Sequence, residues 1–172
     1  MIKGKKIILR ALEKNDLERC WKWINNPEVT KNLGASIPKS MHEEERWYEE
    51  TQKSDKNKIF AIQVGKKHVG NIGLDNIDYR NRKAALGIMI GEPNCWDKGY
   101  GSDAIKTLLS MGFNELNFHK IYLHVFPSNK RALKCYEKCG FKKEGVLREH
   151  VFKGGKYQDL IVMSIINKGG KK

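Results

Sequence analysis

Apolar residues recur along this chain with two different periods, which separate predicted helices from predicted strands. In one segment they fall at i, i+3, i+4, i+7, i+8 and i+11, a spacing that places them on one helix face and requires that face to be buried. Its members are Ile105, Leu108, Leu109, Gly112, Phe113 and Leu116. A second, shorter helix is predicted from about Lys130 to Lys138, with Gly140 placed to end it in the left-handed conformation.

Capping patterns indicate two further helix starts near the N-terminus. Asn15 precedes Glu18 by three residues, which predicts an N-cap and a helix that Pro27 ends. Ser40 and Glu43 repeat that spacing and predict the start of another helix.

Short runs of aliphatic and aromatic residues bounded by polar turns predict seven strands. They span residues 7–12, 59–64, 69–74, 84–90, 121–126, 145–152 and 159–166. With the four helices they give the order β-α-α-β-β-β-α-β-α-β-β, which predicts an α/β or α+β fold with a mixed sheet and helices packed on its faces. No repeat or Pro/Gly-rich hinge divides the chain, so we expect one domain over residues 1–168 and a basic tail at residues 169–172.

Composition narrows the class of protein. The chain has 172 residues, 40% of them hydrophobic, which fits one domain with a single core and excludes a disordered chain. No apolar run approaches the ~20 residues that cross a bilayer, and the basic N-terminus lacks the apolar segment of a signal peptide. We therefore expect a soluble, cytoplasmic protein with no membrane partner.

The charge of the chain points to an anionic partner. Lys and Arg number 33 against 20 Asp and Glu, a net charge of +13, which is typical of proteins that bind nucleic acids, anionic membranes or phosphorylated ligands. The positive residues are spread from end to end, with no run long enough to form a basic arm. This distribution argues against nucleic acid as the main ligand and also fits a solvated, lysine-rich surface.

The cysteines and histidines predict neither disulfides nor a metal site. The cysteines are expected to be reduced thiols, because the chain has no secretion signal. They are Cys20, Cys95, Cys135 and Cys139. Neither they nor the scattered histidines follow the spacing of a zinc site, so no metal is expected.

The segment between residues 88 and 103 is the first candidate site. An apolar strand leads through a loop to Gly99 and Gly101 at the start of the long helix. The unpaired N–H groups and the dipole of a helix N-terminus favour phosphate, and glycines let a pyrophosphate approach the backbone. The spacing is neither a Walker loop nor a dinucleotide fingerprint, and an ordinary loop-to-helix turn would have the same pattern.

The second candidate site is the segment from Asn129 to Phe141. Asn129 is placed to cap the short helix, and Ala132, Leu133 and Tyr136 share one helix face. Taken alone, this segment predicts only that Tyr136 is a half-buried aromatic residue with a hydrogen-bonded hydroxyl.

The two segments together resemble the GNAT superfamily of acetyl-CoA-dependent N-acetyltransferases, and the resemblance covers nearly the whole chain. In that family an Arg/Gln-x-x-Gly-x-Gly/Ala loop grips the CoA pyrophosphate, and residues 96–101 match it with Trp96 at the Arg/Gln position. The Asn…Tyr-x-Lys-x-Gly-Phe segment is matched from Asn129 to Phe141. The resemblance comes nearest to the branch with Rim-type acetyltransferases of ribosomal-protein N-termini, spermidine acetyltransferases and amino-sugar acetyltransferases.

The resemblance implies both the fold and the binding of acetyl-CoA. It implies a mixed, mostly antiparallel seven-stranded sheet flanked by about four helices, in which the parallel strands around 86–91 and 121–126 splay apart. The pantetheine arm would pair with the freed backbone, whose N–H groups would polarise the thioester carbonyl. The implied acetyl-CoA-binding residues are Met89, Ile90, Gly91, Trp96, Lys98, Gly99, Tyr100, Gly101, Ser102, Asn129 and Lys134. The residues that stay open for the 3′-phosphate are Lys98, Lys130, Arg131 and Lys134.

The resemblance also implies the activity, which is transfer of an acetyl group from acetyl-CoA to a primary amine by direct attack in a ternary complex. Tyr136 is the implied catalytic residue and would give a proton to the departing CoA thiolate. The strand glutamate that is common in this branch is replaced by Ala85. The groups that stay open as general base are Asp75, Asp78, Glu149, His150 and a water relay.

The acceptor stays open among a protein N-terminus, such as that of a ribosomal protein, a polyamine and an amino sugar. A site without an evident base suits an α-amine or an amino sugar, because an α-amine is partly neutral near pH 7. The acidic second helix favours a cationic amine instead, although a solvated helix face has the same composition. Its acids are Glu43, Glu44, Glu45, Glu49 and Glu50. The aromatic residues expected in the core rather than in the cleft are Trp21, Trp23, Trp47 and Tyr48.

An alternative of another class is a catalytically idle GNAT-like module that binds CoA or RNA. The basic surface is compatible with contact to a ribosome or a ribosomal protein. We expect a monomer or a homodimer.

Overall fold

An eight-stranded sheet forms the centre of the protein, whose computed structural model describes residues 1–34 and 37–169. The strands are β1 (Ile2–Lys3), β2 (Ile8–Ala11), β3 (Lys58–Val64), β4 (Lys67–Asp78), β5 (Lys83–Ile90), β6 (Lys120–Val125), β7 (Lys142–Lys153) and β8 (Lys156–Ile166). The helices are α1 (Leu17–Ile24), α2 (Pro27–Thr30), α3 (Met41–Lys53), α4 (Tyr100–Asn114) and α5 (Lys130–Lys138). The strand order is β1-β2-β3-β4-β5-β6-β8-β7. The predicted tail at residues 169–172 lies outside the described residues except for Gly169.

The mixed α/β class is confirmed, with eight strands in place of seven and five α-helices in place of about four. The additional elements are β1, of 2 residues, and α2, of 4 residues. Segments this short contain too few residues to show a hydrophobic period, and tertiary contacts rather than local pattern define them.

The sheet opens between β5 and β6, its one parallel pair of neighbours in the described chain. These strands pair only over Lys83–Ala85 and Lys120–Tyr122. Beyond that point β5 keeps its antiparallel partner β4 as far as Ile90, and β6 keeps β8 as far as Val125. The two strands therefore splay apart, as expected, and leave a gap inside the sheet.

The two faces of the sheet are covered unequally. Under α4 and α5, Ile105 and Leu108 pack with Leu74 and Ile121, all at most 1% exposed. On the opposite face, α1 and α3 form a second core in which Trp23 belongs to the same cluster as Met89 of β5, Trp47 and Tyr48. Beyond Met89 this second face stays open, because Gly87 of β5 and His124 of β6 are exposed.

The capping pair predicted for the N-terminal helix does not form, and a different pair caps the 3₁₀ turn that precedes this helix. The pair Ser40 and Glu43 caps α3 as predicted: Ser40 Oγ accepts from Glu43 N at 3.2 Å, and the Glu43 carboxylate accepts from Ser40 N at 2.8 Å. The prediction that Asn15 caps α1 is wrong. A 3₁₀ turn over Lys14–Asp16 precedes α1, and the capping box is formed by Glu13 and Asp16.

Pro27 begins a helix rather than ending one. The helix α1 already ends at Ile24, and Pro27 occupies the first position of α2. Asn26 caps α2 through its side chain, which accepts from Glu28 N at 3.0 Å. Proline suits this position because the first helical residue needs no N–H donor.

The long helix α4 is one turn shorter than its apolar pattern predicts. It ends at Asn114, and Leu116, expected on the buried face, is 43% exposed. The chain reverses at Asn117, which has a φ of 55°. Phe118, which is 1% exposed, then packs into the core, where the pattern predicted Leu116.

The β7–β8 hairpin is joined to the α2 region by a lysine. Lys153, the last residue of β7, donates from Nζ to the Thr30 carbonyl at 2.8 Å and also to the Leu33 carbonyl. Burial lowers the pKa of Lys153. Since Leu33 and Val151 both line the cleft described below, this contact holds together two of its walls.

Candidate active site

The gap between β5 and β6 opens into a cleft of about 560 Å³. Its walls are the second half of β5, the first turns of α4 and α5, and the segment around α2.

The backbone of β5 is left without a strand partner on the side of the cleft. Gly91 N donates to the Val69 carbonyl at 2.9 Å, which places Gly91 in the hydrogen-bonded register with β4. Because that register alternates along an antiparallel pair, Met89 also faces β4, whereas Ile88 and Ile90 direct their N–H and C=O groups toward the gap. An extended ligand can therefore pair with both backbone groups of Ile88 and with the N–H of Ile90, whose carbonyl accepts from Trp96, while the Gly91 amide is already used.

The N-terminus of α4 supplies amide groups to the same cleft. Gly99 is the N-cap residue in the left-handed conformation, with a φ of 82°. The first helical hydrogen bond joins Asp103 N to the Gly99 carbonyl at 3.0 Å, so the N–H groups of Tyr100, Gly101 and Ser102 precede the ladder. These residues line the cleft, and their amides together with the helix dipole suit a diphosphate.

An aromatic residue links the loop before α4 to both β5 and α5. Trp96 donates from Nε1 to the Ile90 carbonyl at 2.8 Å. The Arg131 guanidinium of α5 lies over the Trp96 ring, 4.0 Å from its centroid. Trp96 therefore forms a hydrogen bond with a β5 carbonyl that faces the gap, and its ring holds the Arg131 guanidinium beside the cleft.

A lysine that the sequence analysis missed lies beside the α4 N-terminus. Lys6 Nζ donates to the Lys98 carbonyl at 3.1 Å, and a Cβ built on Gly99 would lie 3.4 Å from it. The Asp103 carboxylate accepts from Lys6 N at 2.6 Å, which fixes the segment before β2 against α4. No local pattern marks Lys6, because 92 residues separate it from Lys98.

Tyr136 lies at the bottom of the cleft on α5. The side chain is only 8% exposed and packs edge-on against Phe141, with ring centroids 5.8 Å apart. Burial, with the neighbouring thiols, raises the pKa of Tyr136, so the phenol is protonated at neutral pH. Its helix begins and ends as predicted: Asn129 Oδ1 accepts from Ala132 N at 3.2 Å, and Gly140 follows with a φ of 97°.

Most of the residues predicted for acetyl-CoA lie together in this cleft. Those that line it are Met89, Ile90, Trp96, Gly99, Tyr100, Gly101, Ser102, Asn129 and Lys134. Gly91 and Lys98 do not: Gly91 is buried, and a Cβ there would clash with the Trp23 ring. Of the cations considered for the 3′-phosphate, Arg131 and Lys134 line the cleft, and Lys138, the lysine of the family-like segment, lines it with them.

The acidic residues that line the cleft are Glu28 of α2 and Asp97 of the loop before α4, and neither lies on the helix that was expected to supply them. Glu28 of α2 lines the cleft, whereas none of the five glutamates of α3 does so in the described chain. Glu44 points inward instead and is 8% exposed, and burial raises the pKa of its carboxyl. Trp23, Trp47 and Tyr48 belong to the core or pack against it as predicted, whereas Trp21 is in neither core cluster and donates from Nε1 to the Lys39 carbonyl.

The side chains considered as general base are dispersed. The Asp78 carboxylate accepts from Asn81 N at 2.8 Å and holds a turn. Glu149 and His150 lie on β7, and neither lines the cleft. Asp75 lies beside Gly87, which does line it.

His124 of β6 is a cleft residue that the sequence analysis did not select. Burial, and to a smaller extent the charge of His150, lower its pKa.

Within the described residues no group of three or more His, Cys, Asp or Glu side chains is arranged to hold a metal ion, and none of the four cysteines forms a disulfide. No helix in residues 1–34 and 37–169 is long and apolar enough to cross a membrane.

A family model for the acetyltransferase (GNAT) domain matches residues 6–142. The chain belongs to this family. A spermidine N(1)-acetyltransferase of Vibrio cholerae is 35% identical over 161 residues, which cover 93% of this chain and 92% of the relative. The spermidine N(1)-acetyltransferase of Escherichia coli K12 is 30% identical over 157 residues, covering 91% and 84%. The crystal structure of the Vibrio cholerae spermidine N-acetyltransferase with CoA and spermine superposes with a TM-score of 0.89 at 34% identity, covering 95% of this chain and 96% of that one.

This GNAT protein is an N-acetyltransferase that takes its acetyl group from acetyl-CoA and gives it to an amine. The cleft fits that donor. It combines free amides at the α4 N-terminus, unpaired β5 backbone and basic side chains on α5, which match the diphosphate, the amide-containing arm and the anionic charge of CoA.

Proposed function

We propose that this GNAT enzyme acetylates a primary amine of a polyamine of the spermidine class. One observation carries the proposal: the cations that line the cleft lie on α5, and a carboxylate lines it at α2. The α5 wall has Arg131 and Lys134, while the α2 wall has Glu28. A polyanionic donor and a polycationic acceptor would therefore enter from opposite sides. The relatives that are named spermidine acetyltransferases, one of them seen with CoA and spermine, support the same class of acceptor.

We propose that the donor is held mainly by backbone groups. The N–H groups of Tyr100, Gly101 and Ser102 would receive the diphosphate, and Ile88 and Ile90 would pair with the pantetheine arm. A free N–H of β5 would also stabilise the oxyanion that forms when the thioester is attacked. Backbone groups are suited to this role because they need no reorganisation during the reaction.

In the proposed reaction the neutral amine nitrogen attacks the thioester carbonyl carbon, and the C–S bond then breaks. The Tyr136 hydroxyl donates its proton to the departing thiolate and recovers one from the acetylated nitrogen through the cleft. Burial raises the pKa of Tyr136, and it would raise the pKa of the CoA thiol in the same cleft. The difference between the two pKa values, which determines the proton transfer, therefore stays small.

The acceptor is tested by thiol release from acetyl-CoA across a panel of amines. The panel contains spermidine, spermine, N-terminal peptides of ribosomal proteins, an aminoglycoside and a nucleotide amino sugar. We expect turnover with the polyamines. Turnover with peptides or amino sugars alone overturns the polyamine acceptor, and failure to bind acetyl-CoA overturns the proposed site.

The role of Glu28 is tested by exchange for its uncharged analogue. Glu28→Gln is expected to raise KM for spermidine roughly 2–5-fold, the size typical of an exposed charge pair, with acetyl-CoA affinity unchanged. Glu18→Gln is the matched control, because Glu18 is an exposed glutamate of α1 that pairs with Lys22 at 2.6 Å away from the cleft.

A further inference from the structure

A primary ammonium group must lose a proton before it can attack a thioester. The pKa of an alkylamine is ~10, so at neutral pH almost none of it is the free base. A general base near the attacking nitrogen, acting directly or through a water, accepts the proton. The strand β5 provides none at the position where the family often has a glutamate, since Ala85 stands there.

The neighbouring strand carries a carboxylate at the paired position. Asp75 of β4 is the direct cross-strand partner of Ala85. Side chains at directly paired positions project from the same face with Cβ atoms about 4.5–5.5 Å apart. A carboxyl group on Asp75 therefore reaches much of the space that a longer acid on Ala85 would occupy.

That face is the open one above the cleft. Residues Ile72 and Leu74 of β4 belong to the core under α4, so Asp75 lies on the opposite face together with Gly87 of β5. A Cβ built on Gly87 would lie 3.4 Å from Asp75 Oδ2. Asp75 is not itself a lining residue, but Gly87 is exposed and lines the cleft, and no side chain on Gly87 separates the Asp75 carboxylate from it.

The Asp75 carboxylate has no structural duty within the described chain. No side chain or backbone group in residues 1–34 and 37–169 donates a hydrogen bond to it, and no cation pairs with it. Other carboxylates of the sheet are occupied: Asp78 holds Asn81, and Glu144 binds Ser164 and Lys120. Desolvation alone raises the pKa of Asp75. A half-buried, unpartnered carboxylate destabilises a protein, so its presence here favours a role in binding or chemistry.

We propose that Asp75 is the general base of this enzyme and replaces the missing glutamate from the adjacent strand. The ammonium of the acceptor lies over Gly87 and gives one proton to Asp75, which becomes a neutral carboxylic acid. The freed nitrogen forms the bond to the acetyl carbon, and the C–S bond breaks as described. Asp75 returns its proton to solvent after the acetylated product leaves. For a polyamine substrate the proposal rests on the proposed acceptor, although any protonated amine needs the same step.

The test compares Asp75→Asn with Asp55→Asn, an exposed aspartate outside the cleft. We expect Asp75→Asn to lower kcat/KM for spermidine at pH 7 by roughly 10²-fold, the size typical of a lost general base. The deficit should shrink as the pH rises toward 10, because the free amine then becomes abundant. Acetyl-CoA affinity and Tm should stay at or above the wild-type values, and Asp55→Asn should behave as wild type.

A second variant tests the position rather than the residue. Adding Ala85→Glu to Asp75→Asn returns a carboxylate to the paired position and should recover at least a tenth of the wild-type kcat/KM. Wild-type turnover in Asp75→Asn overturns the proposal, and so does a loss that is equal at every pH and is not relieved by Ala85→Glu. If the wild-type enzyme acetylates another amine of the panel instead of spermidine, the acceptor proposal fails and the same variants are compared on that amine.

Discussion

The Arg131 guanidinium lies 4.0 Å from the centroid of the Trp96 ring, and this contact joins the first turn of α5 to the loop that precedes α4. The two segments that resemble the GNAT family are thus in direct contact. Their contact sets the distance between the amides of α4 and the cations of α5, on which a CoA molecule would depend.

Removing the Trp96 ring should weaken binding of acetyl-CoA. Trp96→Ala loses both the cation–π contact and the hydrogen bond to Ile90, and we expect KM for acetyl-CoA to rise about 3–10-fold. Trp96→Phe keeps a ring for Arg131, so its KM for acetyl-CoA should lie between those of the wild type and Trp96→Ala. Trp21→Phe is the control, since that indole donates to the Lys39 carbonyl outside the cleft. Equal KM values in all the variants would contradict the structural role of Trp96.

Removing the Tyr136 hydroxyl should slow the chemical step and leave donor binding intact. Tyr136→Phe keeps the buried ring and its contact with Phe141, so the fold should be unaffected. We expect kcat to fall roughly 10²–10⁴-fold, with little change in the Kd of acetyl-CoA. Tyr79→Phe, which removes an exposed hydroxyl bonded to the Asp55 carbonyl, is the control. Unchanged turnover would show that Tyr136 serves only packing.

Removing the ammonium of Lys153 should loosen the acceptor side of the cleft. Lys153→Met keeps most of the aliphatic chain but loses the bonds to the carbonyls of Thr30 and Leu33. We expect KM for the acceptor to rise about 3–10-fold, while the Kd of acetyl-CoA stays the same. Lys156→Met, across the same hairpin, is the matched control. An equal rise in the Kd of acetyl-CoA would contradict the prediction, because it would show that the loss of Lys153 affects the donor site as well.

Neutralising Glu44 should stabilise the protein in a pH-dependent way. Burial raises the pKa of Glu44 in the folded state, so the folded protein holds this proton more tightly than the unfolded chain. Stability is therefore greatest below the unfolded pKa of about 4.3 and decreases as the pH rises through the folded pKa. Glu44→Gln should raise Tm at pH 7 but not at pH 4. Glu49→Gln, an exposed exchange on the same helix, should leave Tm unchanged at both values, and a Glu44→Gln gain that persists at pH 4 would exclude this linkage.

Local signals located the elements and most of the cleft, because those signals act over a few residues. The box formed by Ser40 and Glu43 and the cap at Asn129 are short-range hydrogen bonds, and both form as the sequence predicts. Near the N-terminus two pairs of residues have the three-residue spacing of a capping box, Asn15 with Glu18 and Glu13 with Asp16. The capping box forms at Glu13 and Asp16. Pattern alone cannot choose between them, since a 3₁₀ turn shifts the helix start.

Features that depend on strand register could not be read from the sequence. Asp75 and Ala85 are ten residues apart in the chain, and only the pairing of β4 with β5 makes them neighbours. Lys6 reaches the α4 N-terminus through a contact over 92 residues. The acidity of α3 was visible, but its direction was not, because an inward-pointing glutamate such as Glu44 and an outward-pointing one have the same local pattern.

The short pairing of Lys83–Ala85 with Lys120–Tyr122 also leaves little backbone hydrogen bonding between the two halves of the sheet. One half carries β1 to β5, and the other carries β6, β8 and β7. The core under α4 and α5 joins the two halves as well, because it contains both Leu86 of β5 and Leu123 of β6. The width of the gap in which a thioester would lie is therefore set by packing on the covered face of the sheet as much as by the strands that border the gap.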